Sequence, residues 1–154
     1  MGGRVHPVVR RGADLRLVER LPGLAVGEKV AIARGGSPAV LAALRNDPTP
    51  RVVAALLENP RLTEATLLPL LASERASPQT LALVAGNPKW SSRYPLRLAL
   101  CRNPRTPLAS ALPHLPQLLK RDLEGVASDT RLLLPLRRRA QLLAGEPEGG
   151  PRRL

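Results

Sequence analysis

A hydroxyl residue set directly before proline or just ahead of a leucine-rich run recurs along this chain, at positions 37, 49, 63, 77, 92 and 106. In Ser37-Pro38, Thr49-Pro50, Ser77-Pro78 and Thr106-Pro107 the pair is a helix-start device. The hydroxyl accepts from a backbone N–H that has no partner in the first turn, and proline sits where its missing N–H costs nothing. Thr63 and Ser92 are read as caps of the same kind without the proline. The caps lie 12 to 15 residues apart, which is room for one short helix and a tight turn.

Counting from each cap locates a buried stripe. Ser37 is followed by Val40, Leu41 and Leu44, and Thr49 by Val52, Val53, Leu56 and Leu57. Thr63 leads Leu67, Leu70 and Leu71; Ser77 leads Leu81, Val84 and Ala85; Ser92 leads Leu96, Ala99 and Leu100. Thr106 is followed in a shifted register by Leu108, Leu112 and Leu115. Offsets of three, four, seven and eight trace one face of a helix, and the alternation that marks a strand is missing. Helices this short are marginal alone in water and must bury their stripes against neighbours.

Asn59-Pro60, Asn87-Pro88 and Asn103-Pro104, with Asp47-Pro48 as a near copy, are expected to end the helices. Asn tolerates the left-handed backbone that terminates a helix, and proline cannot continue one. With Thr63, Ser91 or Ser92, and Thr106 after them, these pairs make residues 25–116 resemble the leucine-rich repeat variant family and, more loosely, HEAT-like repeats. The resemblance implies an all-α, right-handed α-solenoid of short paired helices. That family's type member holds an iron–sulfur cluster on several cysteines. Cys101 is the one cysteine here, so the cluster is not carried over and no cofactor is expected.

Residues 1–12 are predicted to be a flexible basic arm, 13–144 a single α-solenoid domain, and 145–154 a disordered tail. A first helix is expected over 13–22 with Leu15, Val18 and Leu21 inward, and a second over 27–35. Leu119, Leu123 and Val126 are placed on one face of a later helix. Pro135 starts the last, with Leu136, Ala140 and Leu143 inward. The apolar run Val5–Val9 is too short and broken for a signal peptide. With no span-length apolar run and one cysteine, the expected location is cytoplasmic.

Little in the chain points to catalysis. Cys101 lies in an apolar helix and reads as a small buried hydrophobe rather than a nucleophile served by His114. His6 and His114 are the only histidines, so no zinc site is expected, and the carboxylates are scattered. The chain is expected not to be an enzyme and to have no small-molecule substrate.

Charge is the strongest remaining signal. The net charge is +12, with 21 Arg against 3 Lys. Two readings of it stay open: a solvated surface from GC-rich coding, or an anion-recognition face. Residues 87–139 hold eleven basic against three acidic residues. The candidate binding set is Arg93, Arg97, Arg102, Arg105, Lys120, Arg121, Arg137, Arg138 and Arg139. Trp90, in the longest turn, either packs beneath it or stands out as a binding anchor. The expected function is a protein–protein adaptor using a concave face and a basic turn edge. The alternative is binding to nucleic-acid phosphates, with an anionic membrane surface less favoured. Scarce aromatics argue against stacking on single strands.

Overall fold

Proline marks where many of these helices begin. The computed structural model describes residues 7–147, with side chains from Asp14 onward. The described residues form eleven α-helices: α1 (Pro7–Arg20), α2 (Val26–Gly35), α3 (Pro38–Leu44), α4 (Pro50–Leu57), α5 (Glu64–Ala72), α6 (Pro78–Ala85), α7 (Pro88–Ser91), α8 (Tyr94–Arg102), α9 (Leu108–Ala111), α10 (Lys120–Ser128) and α11 (Leu134–Ala144). Short 3-10 segments lie at Leu21–Gly23 and Leu112–Gln117, and no strand occurs among the described residues. The protein is all-helical. In α3, α4, α6 and α7 proline takes the first position; in α8 and α11 it takes the second.

The packing divides the chain into two compact units, Met1–Thr66 and Leu67–Leu154, with the division inside α5. The repeat predicts one domain over 13–144. In the first unit α1 packs on α3 and α2 on α4, while α3 touches both of its neighbours. In the second, α6 packs on α9 and α8 on α10, and α11 covers both α10 and the Leu112–Gln117 segment. Next-but-one pairs (α1 with α3, α2 with α4, α8 with α10) thus occur beside adjacent and more distant ones.

Most of the stripe positions are where the period puts them, but Ala99, Leu108 and Leu112 are only half-buried. Val40, Leu41, Leu44, Val52, Val53, Leu56, Leu67, Leu71, Leu81, Val84, Leu96 and Leu100 are all buried. Each such side chain contributes about 1.5–3 kcal/mol, which offsets the poor intrinsic stability of helices this short. In the second unit the core gathers Cys101, Leu115, Leu118, Leu123, Val126, Leu136 and Leu143, with Tyr94 and Leu98 packed against it.

Several expectations are corrected. Leu15 is 64% exposed and Leu119 is 51% exposed; Leu118 takes the buried place expected of Leu119. Leu119 is instead the N-cap of α10, where the chain is still extended. Ser92 is not a cap: it closes α7, and Arg93 caps α8. Thr106 is not a cap either, because α9 starts from Pro107. The Oγ1 of Thr106 is buried with no hydrogen-bond partner among the described residues. Ser37 and Thr49 do stand at N-caps, yet neither side chain bonds to its helix. Ser37 donates to Asp14 instead, at 2.8 Å. Ser77 and Thr63 make the expected bonds, accepting from the N–H of Thr80 and Thr66. The first helix begins at Pro7, so residues 7–12 of the expected arm belong to it. Residues 1–6, and 148–154 of the expected tail, lie outside the described residues.

The turns end differently from the expectation as well. Asn87 and Asn103 have φ of −99° and −81°, extended rather than left-handed. What recurs is a side-chain turn, in which an oxygen accepts from the backbone N–H two residues on. Asp47 accepts from Thr49, Asn59 from Arg61, Ser73 from Arg75, Asn87 from Lys89, Asn103 from Arg105 and Asp129 from Arg131. At four of these turns the choice between Asn and Asp follows what the other half of the side chain meets. The amide of Asn59 donates to the carbonyl of Ala33 at 2.8 Å, at the end of α2. That of Asn103 donates to the carbonyls of Leu71 and Ser73, both at 2.8 Å, at the end of α5. These helix ends need donors, and a carboxylate has none. Asp47 and Asp129 meet cations instead: Lys29 at 2.9 Å and Arg131 at 2.9 Å.

Candidate partner-binding surface

A side-chain turn occupies the backbone N–H of its third residue and leaves that residue's side chain to the surface. At five of the six turns the third residue is basic: Arg61, Arg75, Lys89, Arg105 and Arg131, all exposed. Lys and Arg make up 24 of 154 residues, so composition alone does not place a cation at every one of these five equivalent positions. The cation follows the turn.

In the second unit three of these turns are neighbours. Asn103 reaches the carbonyl of Ser73, and Arg131 reaches from the Asp129 turn to Glu74 at 3.0 Å. Arg131 is therefore compensated. Its guanidinium grips Asp129 by two side-chain bonds and holds that carboxyl below the usual range. Arg75 and Arg105 have no side-chain acceptor among the described residues.

Beside these turns a groove of about 390 Å³ runs between α5 and α8. Its walls are Leu68, Pro95, Leu98, Ala99 and Pro104, and its rim carries Glu74, Arg102 and Arg131. Leu68 is 37% exposed although every neighbour in its run that faces inward is buried. Arg102 makes no ion pair among the described residues, though its charge reaches Asp129 and helps hold that carboxyl low, so the groove combines an apolar wall with an exposed, unpaired cation.

The N-terminal ends of α8 and α10 form a second place. Tyr94, the first residue of α8, accepts from the N–H of Leu119 at 2.9 Å and donates to Asp122. Burial and the Asp122 carboxylate raise the phenol's pKa above its ordinary value. Arg93, Lys120 and Arg121 flank this tie and are exposed. Trp90 is buried, at 1% exposure, so it is not a binding anchor. Its ring lies beneath two cations, Lys89 at 5.1 Å and Arg93 at 4.6 Å from the centroid.

The rest of the candidate set is dispersed. Arg97 is half-buried and donates through Nε to Nδ1 of His114 at 3.3 Å. With Nδ1 accepting, Nε2 carries the proton and donates to the carbonyl of Ala85 at 2.9 Å. Burial, reinforced by the Arg97 charge, pushes the histidine pKa down. Arg97 and His114 thus close the end of α6. Arg137 donates to the carbonyl of Ala127 at 3.2 Å, a structural bond as well. Arg138 is exposed, and Arg139 lines a separate groove of about 500 Å³ with Leu112, Pro113 and Pro135. The structure brings together Arg93, Lys120 and Arg121 at one place and Arg102 and Arg105 at another. The sequence reading left Arg75 and Lys89 out of the candidate set; the signal for both was a basic residue two positions after each turn former.

Cys101 has no nucleophilic surroundings. It is fully buried, its Sγ lies 3.8 Å from the carbonyl of Ala111, and burial pushes its thiol up to about 12. No group of three or more His, Cys, Asp and Glu among the described residues is placed to hold a metal ion. No helix among them is long and apolar enough to cross a membrane. No protein-family model, no curated protein and no solved structure matches the chain.

Proposed function

We propose that the chain is a non-enzymatic helical-repeat module, of the α-solenoid kind that the leucine-rich repeat variant family represents, and that it holds a macromolecular partner. The observation that carries this reading is the α5–α8 groove. Leu68, Leu98 and Pro104 offer an apolar wall, and Arg102 offers an exposed charge with no ion pair among the described residues. A protein segment with an apolar side chain and a neighbouring carboxylate satisfies both, and aromatic or aliphatic anchors in such pockets carry most interface energy. The next-but-one pairs α1 with α3, α2 with α4 and α8 with α10 support the solenoid part of the reading.

The test is selection of a displayed random-peptide library on the protein, with Leu68→Asp as the counter-selection. The reading expects enriched peptides with an acidic residue beside an apolar one, which lose binding to Leu68→Asp and weaken on Arg102→Gln. Enriched peptides that bind both variants as well as the parent would overturn it. A second reading, contact with nucleic-acid phosphates, is favoured by the turn cations. It predicts retention on duplex DNA that falls steeply with salt.

A further inference from the structure

We propose that the place where α8 and α10 begin is the phosphate-contacting surface of this protein, and that its ligand is a nucleic-acid duplex held by its backbone. The proposal rests on the second reading above and assigns its site and substrate form.

Four exposed basic residues flank it: Lys89, Arg93, Lys120 and Arg121. Lys89 and Arg93 both lie against the Trp90 ring, whose negative face holds each of them at this place. Lys120 and Arg121 follow Leu119, whose N–H is bound by the Tyr94 hydroxyl, so they join the same surface. None of the four has an ion-pair partner among the described residues, in contrast to Lys29, Arg34 and Arg131. Asp122 lies nearby, but the Tyr94 hydroxyl engages its carboxylate. Glu124 follows on α10. The peptide dipoles of α8 and α10 add positive potential at their N-terminal ends.

The form of the ligand follows from the aromatics. Single-strand binders stack bases on exposed rings. Here Trp90 is 1% exposed and lies under its cations, and the hydroxyl of Tyr94 is consumed in tying α10 to α8. Charges without stacking platforms fit a regular duplex backbone, where phosphates are contacted and bases are not read.

The experiment measures binding of a fluorescent 20-base-pair DNA duplex, and of one of its single strands, across a sodium chloride series. The site variant is Lys89→Gln/Arg93→Gln/Lys120→Gln/Arg121→Gln. The control removes the same number of charges elsewhere, outside every turn and groove described above: Arg16→Gln/Arg20→Gln/Arg45→Gln/Arg51→Gln. The proposal expects the duplex to bind the parent more tightly than the strand. It expects the site variant to lose at least tenfold in affinity, and the salt slope to flatten by roughly 0.9 for each phosphate contact removed. The control should stay within about threefold. Lys120→Gln/Arg121→Gln alone leaves the Trp90 cover intact and carries the test should the fourfold variant melt early. Equal losses in site variant and control would overturn the assigned surface while the nucleic-acid reading stands. Tighter binding of the single strand would overturn the duplex. No binding of either DNA by the parent at low salt would remove the reading and the proposal together.

Discussion

At the scale of single residues, the same turn is built from Asn, Asp or Ser according to what lies beyond it. Asn103 is buried and uses both ends of its amide, one for its own turn and one for two carbonyls about thirty positions back in the chain. Asn103→Asp keeps the turn but loses both donors and sets a carboxylate against carbonyl oxygens. We expect a loss of roughly 3 kcal/mol in urea unfolding. Asp129→Asn keeps its turn and loses only a pair with an exposed Arg131, so it should cost under about 1 kcal/mol. The opposite ranking would show that the amide contacts do not hold the helix ends. His114 makes a second test. Its folded pKa is depressed, so the stability it contributes is complete above the ordinary histidine value near 6.5. That contribution is lost as pH falls through the lower folded value, because the unfolded chain takes up the proton first. Urea midpoints should therefore fall between pH 7.5 and pH 5 more steeply in the parent than in His114→Asn. Parallel profiles would place the pH dependence elsewhere.

At the scale of elements, the position of a cap and the bond it makes are separate matters. Ser77 accepts from Thr80 and begins α6, whereas Thr49 begins α4 without such a bond. Ser77→Ala should cost about 1 kcal/mol in thermal or urea melts and Thr49→Ala clearly less. Equal costs would mean that the hydroxyl's preference for the position, not its bond, is what stabilises these starts. The last helix seals the second unit. Leu136, Ala140 and Leu143 of α11 are buried with Leu123 and Val126 of α10 in one core, and Arg138 and Leu142 face solvent. A chain truncated after Asp129 should expose that layer and aggregate, while one truncated after Pro147 should melt like the parent. Size-exclusion chromatography and a thermal melt decide between them. A soluble monomeric 1–129 fragment with the parent's melting temperature would show that α11 does not close the core.

At the scale of the whole molecule, a net charge of +12 opposes compaction, and few ion pairs among the described residues offset it. Raising sodium chloride from 0.02 to 0.3 M should raise the melting temperature by screening that self-repulsion. A fall would show that the ion pairs outweigh it. The same charge shows where sequence reasoning ended. Helix class, helix starts at Ser77 and Thr63, and the stripes from Val40 to Leu100 were legible because proline, capping and the 3.6-residue period act within a single turn of chain. The early extension of α1, the exposure of Leu119 and the failure of Ser92 as a cap lay at element ends, where one residue of phase changes the outcome. Neither the partners of Asn59 and Asn103 nor the burial of Trp90 under Lys89 and Arg93 was legible. Equally hidden was the sorting of arginines into structural (Arg97, Arg137), compensated (Arg131) and exposed, unpaired (Arg93, Arg102, Arg121) groups. Those outcomes depend on which helix end stacking delivers beside a side chain. A local pattern that recurs with a cation at five turns is alike in sequence terms whether that cation meets a carbonyl, a carboxylate or water, and only the tertiary packing separates the three.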